Sequence, residues 1–236
     1  MPQDIDLAQS KTGNIFKKIG PIFALLMVIF WAWAIFGATS EKHQGEVYRI
    51  IYLHVPSAFA TFAISFFLFI NAILALKKPK SQLQLFGRSA AEVGLLFTIL
   101  TLATGSIWGK PTWGTWWTWD ARLTTTFLLG LLYAAYLLLW SSMSNGPERS
   151  KACAVLGILI FIDVPIIYKS VTWWRTLHQP PSILRKGGAT MAPEILTLLI
   201  IGIFLTIATS LWLIWGRYEN LKLKESLEQK SLDSLS

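Results

Sequence analysis

The chain has 236 residues, 53% of them hydrophobic and only 14% charged, where an average soluble domain carries about 25% charged residues. That composition excludes a disordered chain, and a single cysteine excludes a disulfide scaffold. The net charge of +8 raises nucleic-acid binding as a class, and the positions of the charges decide against it below.

Hydropathy predicts an all-α membrane protein with six transmembrane helices, since a bilayer core about 30 Å thick takes about 20 apolar residues of helix. In chain order, 21–38 and 55–76 contain no charge, and 89–108 carries Glu92 near its start. The fourth span, 123–143, is again uncharged. The fifth, 152–171, holds Asp163 inside it and Lys169 at its end, and the sixth, 195–216, follows Glu194. Glu92 and Glu194 are near enough to span ends to be solvated, while Asp163, beside Pro165, is expected to make a structural hydrogen bond. The first span is too long for a cleaved signal, and Trp31-Ala32-Trp33 stands where small residues would be needed. Residues 1–216 thus read as one six-span domain, and 217–236 as a polar tail, a short solvated helix or disordered.

Lysines and arginines set the orientation. Thirteen fall on the side of the two termini, among them Lys11, Lys17, Lys80, Arg149 and Arg217. Eight fall opposite: Lys42, Arg49, Lys110, Arg122, Lys169, Arg175, Arg185 and Lys186. Both termini are therefore expected in the cytoplasm, and the basic excess is largely what insertion needs, which removes the argument for nucleic acid.

Three connections then face outward, 39–54, 109–122 and 172–193, and they collect the unusual residues. Nine of the twelve tryptophans fall on the outer half, five of them between 108 and 119. An interfacial belt would populate both surfaces. Lys110-Pro111 and Gly114 predict a loop or shallow interfacial segment here, offering a flat aromatic surface edged with indole N–H donors. All three histidines lie on the same side. His43 reads as solvated loop, whereas His54 at the mouth of the second span and His178 beyond the fifth could meet one metal from two sides. Two neutral imidazoles suit haem iron, and zinc would want about four N, S or O ligands. Position alone leaves the ligand open, interfacial hydrogen bonding being the simpler use of each ring. For a macrocycle with two carboxylates, Arg122, Arg175 and Lys110 are the nearest cations.

Three stretches carry a family resemblance. The run 113–124, Trp-Gly-Thr-Trp-Trp-Thr-Trp-Asp-Ala-Arg-Leu-Thr, resembles the tryptophan-rich "WWD" signature of haem-handling membrane proteins. Its Ala-Arg-Leu-Thr continuation is similar to that of the haem exporter protein C (CcmC) family of bacterial cytochrome c maturation. The stretches 48–56 and 173–179 resemble the two histidine motifs of that family, and length and span number agree with it. The departures are Thr118 in place of valine and Pro180-Pro181 after Gln179.

The resemblance implies haem handling at the periplasmic face of the bacterial inner membrane. His54 and His178 would be axial ligands of a transiently held b-type haem. Trp113, Gly114, Trp116, Trp117, Trp119 and Asp120 would form its platform, with Arg122 and Arg175 beside it. Asp120 would cap the fourth span or meet a partner. The implied partners are a periplasmic haem chaperone, a small single-span subunit, and an ATP-binding-cassette ATPase with its membrane subunit. No Walker motif is present, since 105–110 is one residue short and Pro111 follows. No Cys-x-x-Cys-His occurs either. The expectation is a non-enzymatic delivery protein. A pore-type transporter and a purely structural subunit are the competing classes.

Overall fold

A computed structural model describes residues 18–41, 44–180, 182–183 and 187–234. His43, Pro181, Arg185, Lys186, Lys11, Lys17 and Lys42, all used above, lie outside the described residues. The described residues form six helices long and apolar enough to cross a bilayer. They are α1 (Lys18–Gly37), α2 (Ile51–Lys77), α3 (Ser81–Trp113), α4 (Ala121–Ser142), α5 (Pro147–Trp173) and α6 (Pro193–Asp233). Among the described residues there is no β-strand, only an isolated bridge between Glu41 and Gly45. This is an all-α, multi-pass membrane protein.

Two boundaries differ from the sequence expectation. First, α3 runs through Lys110 and Pro111 to Trp113, so the tryptophan-rich segment opens as helix. Pro111 forfeits only its own backbone bond. The stop is Gly114, which takes the left-handed conformation (φ 79°) and returns its N–H to the Lys110 carbonyl at 3.0 Å. Second, α6 continues past Gly216 to Asp233 as one 41-residue helix, about 60 Å long at 1.5 Å per residue and twice the bilayer core.

The sixth helix runs on because its extension packs. Leu221 is buried, and Ser81 at the start of α3 donates to the Glu225 carboxylate at 2.9 Å. Arg217 then lies beside Glu92. That carboxylate accepts from Arg88 at 2.8 Å and from Arg217, through both Nε and Nη2, so it is paired rather than simply solvated. Glu194 is exposed in the first turn of α6. At the same end, the guanidinium carbons of Arg88 and Arg149 sit 4.1 and 4.2 Å from the centre of the Trp140 ring.

The second helix is the hub, packing on α3, α5 and α6. Its buried face sets small or hydroxylated residues (Ser57, Ala60, Thr61, Ser65, Ala72, Ala75) among larger ones such as Ile64 and Leu68, and the small positions let neighbouring helices approach closely. At Gly157 of α5 an added Cβ would stand 3.2 Å from that of Ala72. The hydroxyls are satisfied locally: Thr61 donates to the Ser57 carbonyl at 3.0 Å and Ser65 to that of Thr61 at 2.8 Å. The Ser65 and Tyr133 hydroxyls, 2.8 Å apart, join α2 to α4. Asp163 is buried on α5, but the structural hydrogen bond expected of it is missing at Oδ2, which has no partner among the described residues.

Candidate functional site

A 3₁₀ turn, Glu46–Ile50, leads directly into α2 and places His54 in its first turn, facing α3. The His54 Nδ1 lies 3.1 Å from the Thr101 carbonyl and 3.1 Å from the Thr104 hydroxyl. A carbonyl can only accept, so Nδ1 carries the hydrogen and Nε2 keeps its lone pair. The neighbour that allows this approach is Gly105, where a Cβ would come within 3.0 Å of His54 Cε1. Trp108 meets the ring edge-on, centroids 5.8 Å apart, and its indole N–H donates to Gln44 at 2.7 Å.

His178 lies in the irregular connection between α5 and α6. Its backbone N–H donates to the Thr176 hydroxyl at 2.9 Å, and its Nδ1 lies 2.9 Å from the Gln179 carbonyl. The same logic puts the hydrogen on Nδ1 and leaves Nε2 free. Burial, then the neighbouring Arg122 cation, push the ring down to about 4, so it is neutral at physiological pH.

The two rings are neighbours, with centroids 6.5 Å apart and planes 35° from parallel. A metal–imidazole bond of about 2 Å on each side, with about 1.1 Å from each nitrogen to its ring centre, predicts about 6.2 Å for two rings flanking one ion. Among the described residues no group of three or more His, Cys, Asp or Glu forms a fuller ligand set. Remaining ligands would have to come with the metal, as a porphyrin's four nitrogens do.

Two clefts open beside the rings. One reaches down among α2, α3 and α4 past Thr101, Thr126 and Leu129. The other is lined by Val55 and Phe59 of α2 and Tyr168 of α5. The two share His54, Ala58, Phe62, Trp108, Arg122, His178 and Gln179. Arg122 lines both clefts.

The other sequence candidates divide. Trp113 and Trp117 line the larger cleft, Trp113 with its ring 6.2 Å from that of His178. The Trp117 indole nitrogen is buried with no partner among the described residues, and the ring stands edge-on to Trp119 and Phe127. Gly114 makes the turn, its carbonyl accepting from Lys110 Nζ at 3.0 Å. Asp120 caps α4, taking the Leu123 N–H at 2.9 Å, and also accepts from the Leu177 N–H at 3.2 Å. Trp116 and Trp119 are exposed, and Arg175 is exposed and lines neither cleft. Thr101, Thr104, Gln44 and Trp108 act at the site without having been singled out for it. For the threonines no sequence signal exists, because their role depends on α3 lying against α2.

Residues 6–233 match the family model described as heme exporter protein C, CcmC. The chain belongs to that family. It is 38% identical over 227 residues to the heme exporter protein C of Haemophilus influenzae, covering 94% of this chain and 92% of that protein. It is 36% identical to the Bradyrhizobium diazoefficiens protein of that name, covering 84% of this chain and 76% of the other. A putative cytochrome c biosynthesis ccmC-like mitochondrial protein of Marchantia polymorpha is 44% identical, covering 70% of this chain and 69% of the other. The resemblance read from the WWD stretch and the two histidine motifs thus extends over almost the whole chain.

Proposed function

We propose that this protein holds haem between His54 and His178 at the periplasmic face of the bacterial inner membrane and delivers it to a periplasmic haem chaperone for c-type cytochrome biogenesis. The observation that carries this reading is the pair of neighbouring imidazoles with centroids 6.5 Å apart, each with its Nδ1 against a backbone carbonyl. Second-shell bonds of this kind fix the tautomer and raise ligand basicity. The porphyrin would supply the four equatorial ligands of the iron. Trp113 and Trp117 would cover its face, and Arg122, which lines both clefts, would meet a propionate. Exposed Trp116 and Trp119, with Arg175, would be left for the chaperone. The six spans act as one haem-handling domain with both termini and the 217–236 tail in the cytoplasm. A small single-span subunit and an ATP-binding-cassette ATPase with its membrane subunit complete the machinery. The protein itself binds and delivers rather than catalyses. A pore would need polar side chains lining several spans at depth, whereas Thr61 and Thr98 donate their hydroxyls to carbonyls of their own helices.

The test is purification in detergent followed by absorption spectroscopy. A Soret band of six-coordinate haem is expected, weakened or shifted in both His54→Ala and His178→Ala. An unchanged spectrum in both variants overturns the two-ligand reading.

A further inference from the structure

We infer that Asp120 is the positioning residue for His178, holding the loop that carries this ring against the helical bundle; the inference rests on the reading of His178 as a haem ligand. The segment 174–180 has neither helix nor strand. Its internal bonds, from the His178 N–H to Thr176 and between His178 Nδ1 and the Gln179 carbonyl, set the ring relative to its own turn. They do nothing to place that turn over His54. Placement needs a bond that leaves the segment, and the Leu177 N–H provides one, donating to Asp120 Oδ2 at 3.2 Å across 57 residues of sequence.

The acceptor is itself fixed. Its other oxygen, Oδ1, takes the Leu123 N–H at 2.9 Å and caps α4. The first-turn N–H groups of that helix favour a negative charge at this point. One carboxylate therefore bridges two backbone N–H groups, one on a transmembrane helix and one on Leu177, the residue immediately before His178. Both bonds are charge-assisted and stronger than bonds between neutral groups. The requirement is specific to aspartate. Asparagine still caps the helix but turns an NH₂ toward the Leu177 N–H, setting donor against donor. Serine caps equally well with a single oxygen on a shorter arm. A cap alone would tolerate both.

The experiment uses the full chain in detergent, reconstituted with ferric haem, as wild type, Asp120→Asn, Asp120→Ser and His178→Ala. The fraction of low-spin haem is read by electron paramagnetic resonance, haem affinity by titration, and both are repeated with added imidazole. Wild type is expected to be low-spin. Both Asp120 variants should lose affinity by up to about tenfold, the lower end of the cost of losing a group bonded to a ligand itself, and show high-spin haem. Imidazole should restore the low-spin signal in them as it does in His178→Ala, while their melting temperatures stay at the wild-type value because the cap is kept. Wild-type spectra in both Asp120 variants, with His178→Ala altered, overturn the positioning role and leave the two-ligand reading standing. Haem loss in both that imidazole does not reverse also overturns it, since that marks general damage. A wild-type spectrum in His178→Ala removes the two-ligand reading and this role together.

Discussion

Replacing Gly105 by alanine tests whether α3 holds His54 in its ligating pose. The new Cβ would lie 3.0 Å from His54 Cε1 and 3.5 Å from Nδ1. Carbon atoms rest at about 3.5–4.0 Å, so the ring must retreat from α3 by about 0.5 Å. The partners of Nδ1, the Thr101 carbonyl and Thr104 hydroxyl at 3.1 Å, are on α3 as well. Retreat therefore stretches both to about 3.6 Å, where a hydrogen bond is lost. Removing a second-shell partner costs about 10- to 100-fold in metal affinity, or about 1.4–2.7 kcal/mol. Stability should move the other way, because alanine inside a helix is favoured over glycine by up to about 1 kcal/mol. The measurement is a haem titration of the purified variant followed at the Soret band, paired with a thermal melt. Affinity at least tenfold weaker with an undiminished melting temperature is expected. Affinity within about twofold of wild type would refute the claim that the α2–α3 contact presents the imidazole.

Lowering the pH should leave haem binding almost untouched until strongly acidic conditions. His178 in the folded chain lies at about 4 against an ordinary 6.5, so an unfolded chain takes up that proton first. Stability tied to the neutral ring is complete above about pH 6.5 and drains away as pH falls from there toward 4. Haem affinities at pH 7 and pH 5 should agree within about twofold; a tenfold fall would mean that a ligand titrates near its ordinary value. At the opposite end of the bundle, Glu92→Gln removes the charge shared by Arg88 and Arg217. Its side chain keeps 26% of its exposure, so the cost should be about 1–2 kcal/mol, below that of a fully buried pair. A melting temperature equal to wild type would show that this bridge does not hold α6 to α3.

The membrane architecture was legible because bilayer thickness converts directly into run length, and all six spans coincide with apolar runs read from sequence. Element ends were less legible, for local reasons. Pro111 has the look of a breaker, yet near the last turn it removes one bond, and Gly114 is what stops the helix. The polar stretch after Gly216 has no span signal, and its helix persists through packing by Leu221 and bonding by Glu225. At the site, the ligand candidates could be named because histidines are scarce and lie on one side. The parts that aim them could not. Thr101 and Thr104 are ordinary threonines in an apolar helix, and the second acceptor role of Asp120 exists only once a loop 57 residues away is folded beside it.

The two imidazoles have unequal footings. His54 rises from a transmembrane helix and is bonded to a second one, so it can shift only if α2 and α3 shift. His178 rides on irregular chain, and irregular segments open at a small fraction of the free energy that core helices require. Were haem clasped between them as proposed, it would sit in a vice with one fixed jaw and one adjustable jaw. Release would then begin on the loop side, with His54 the last to let go, and a receiving protein that brings its own ligand would meet haem at the side His178 has left.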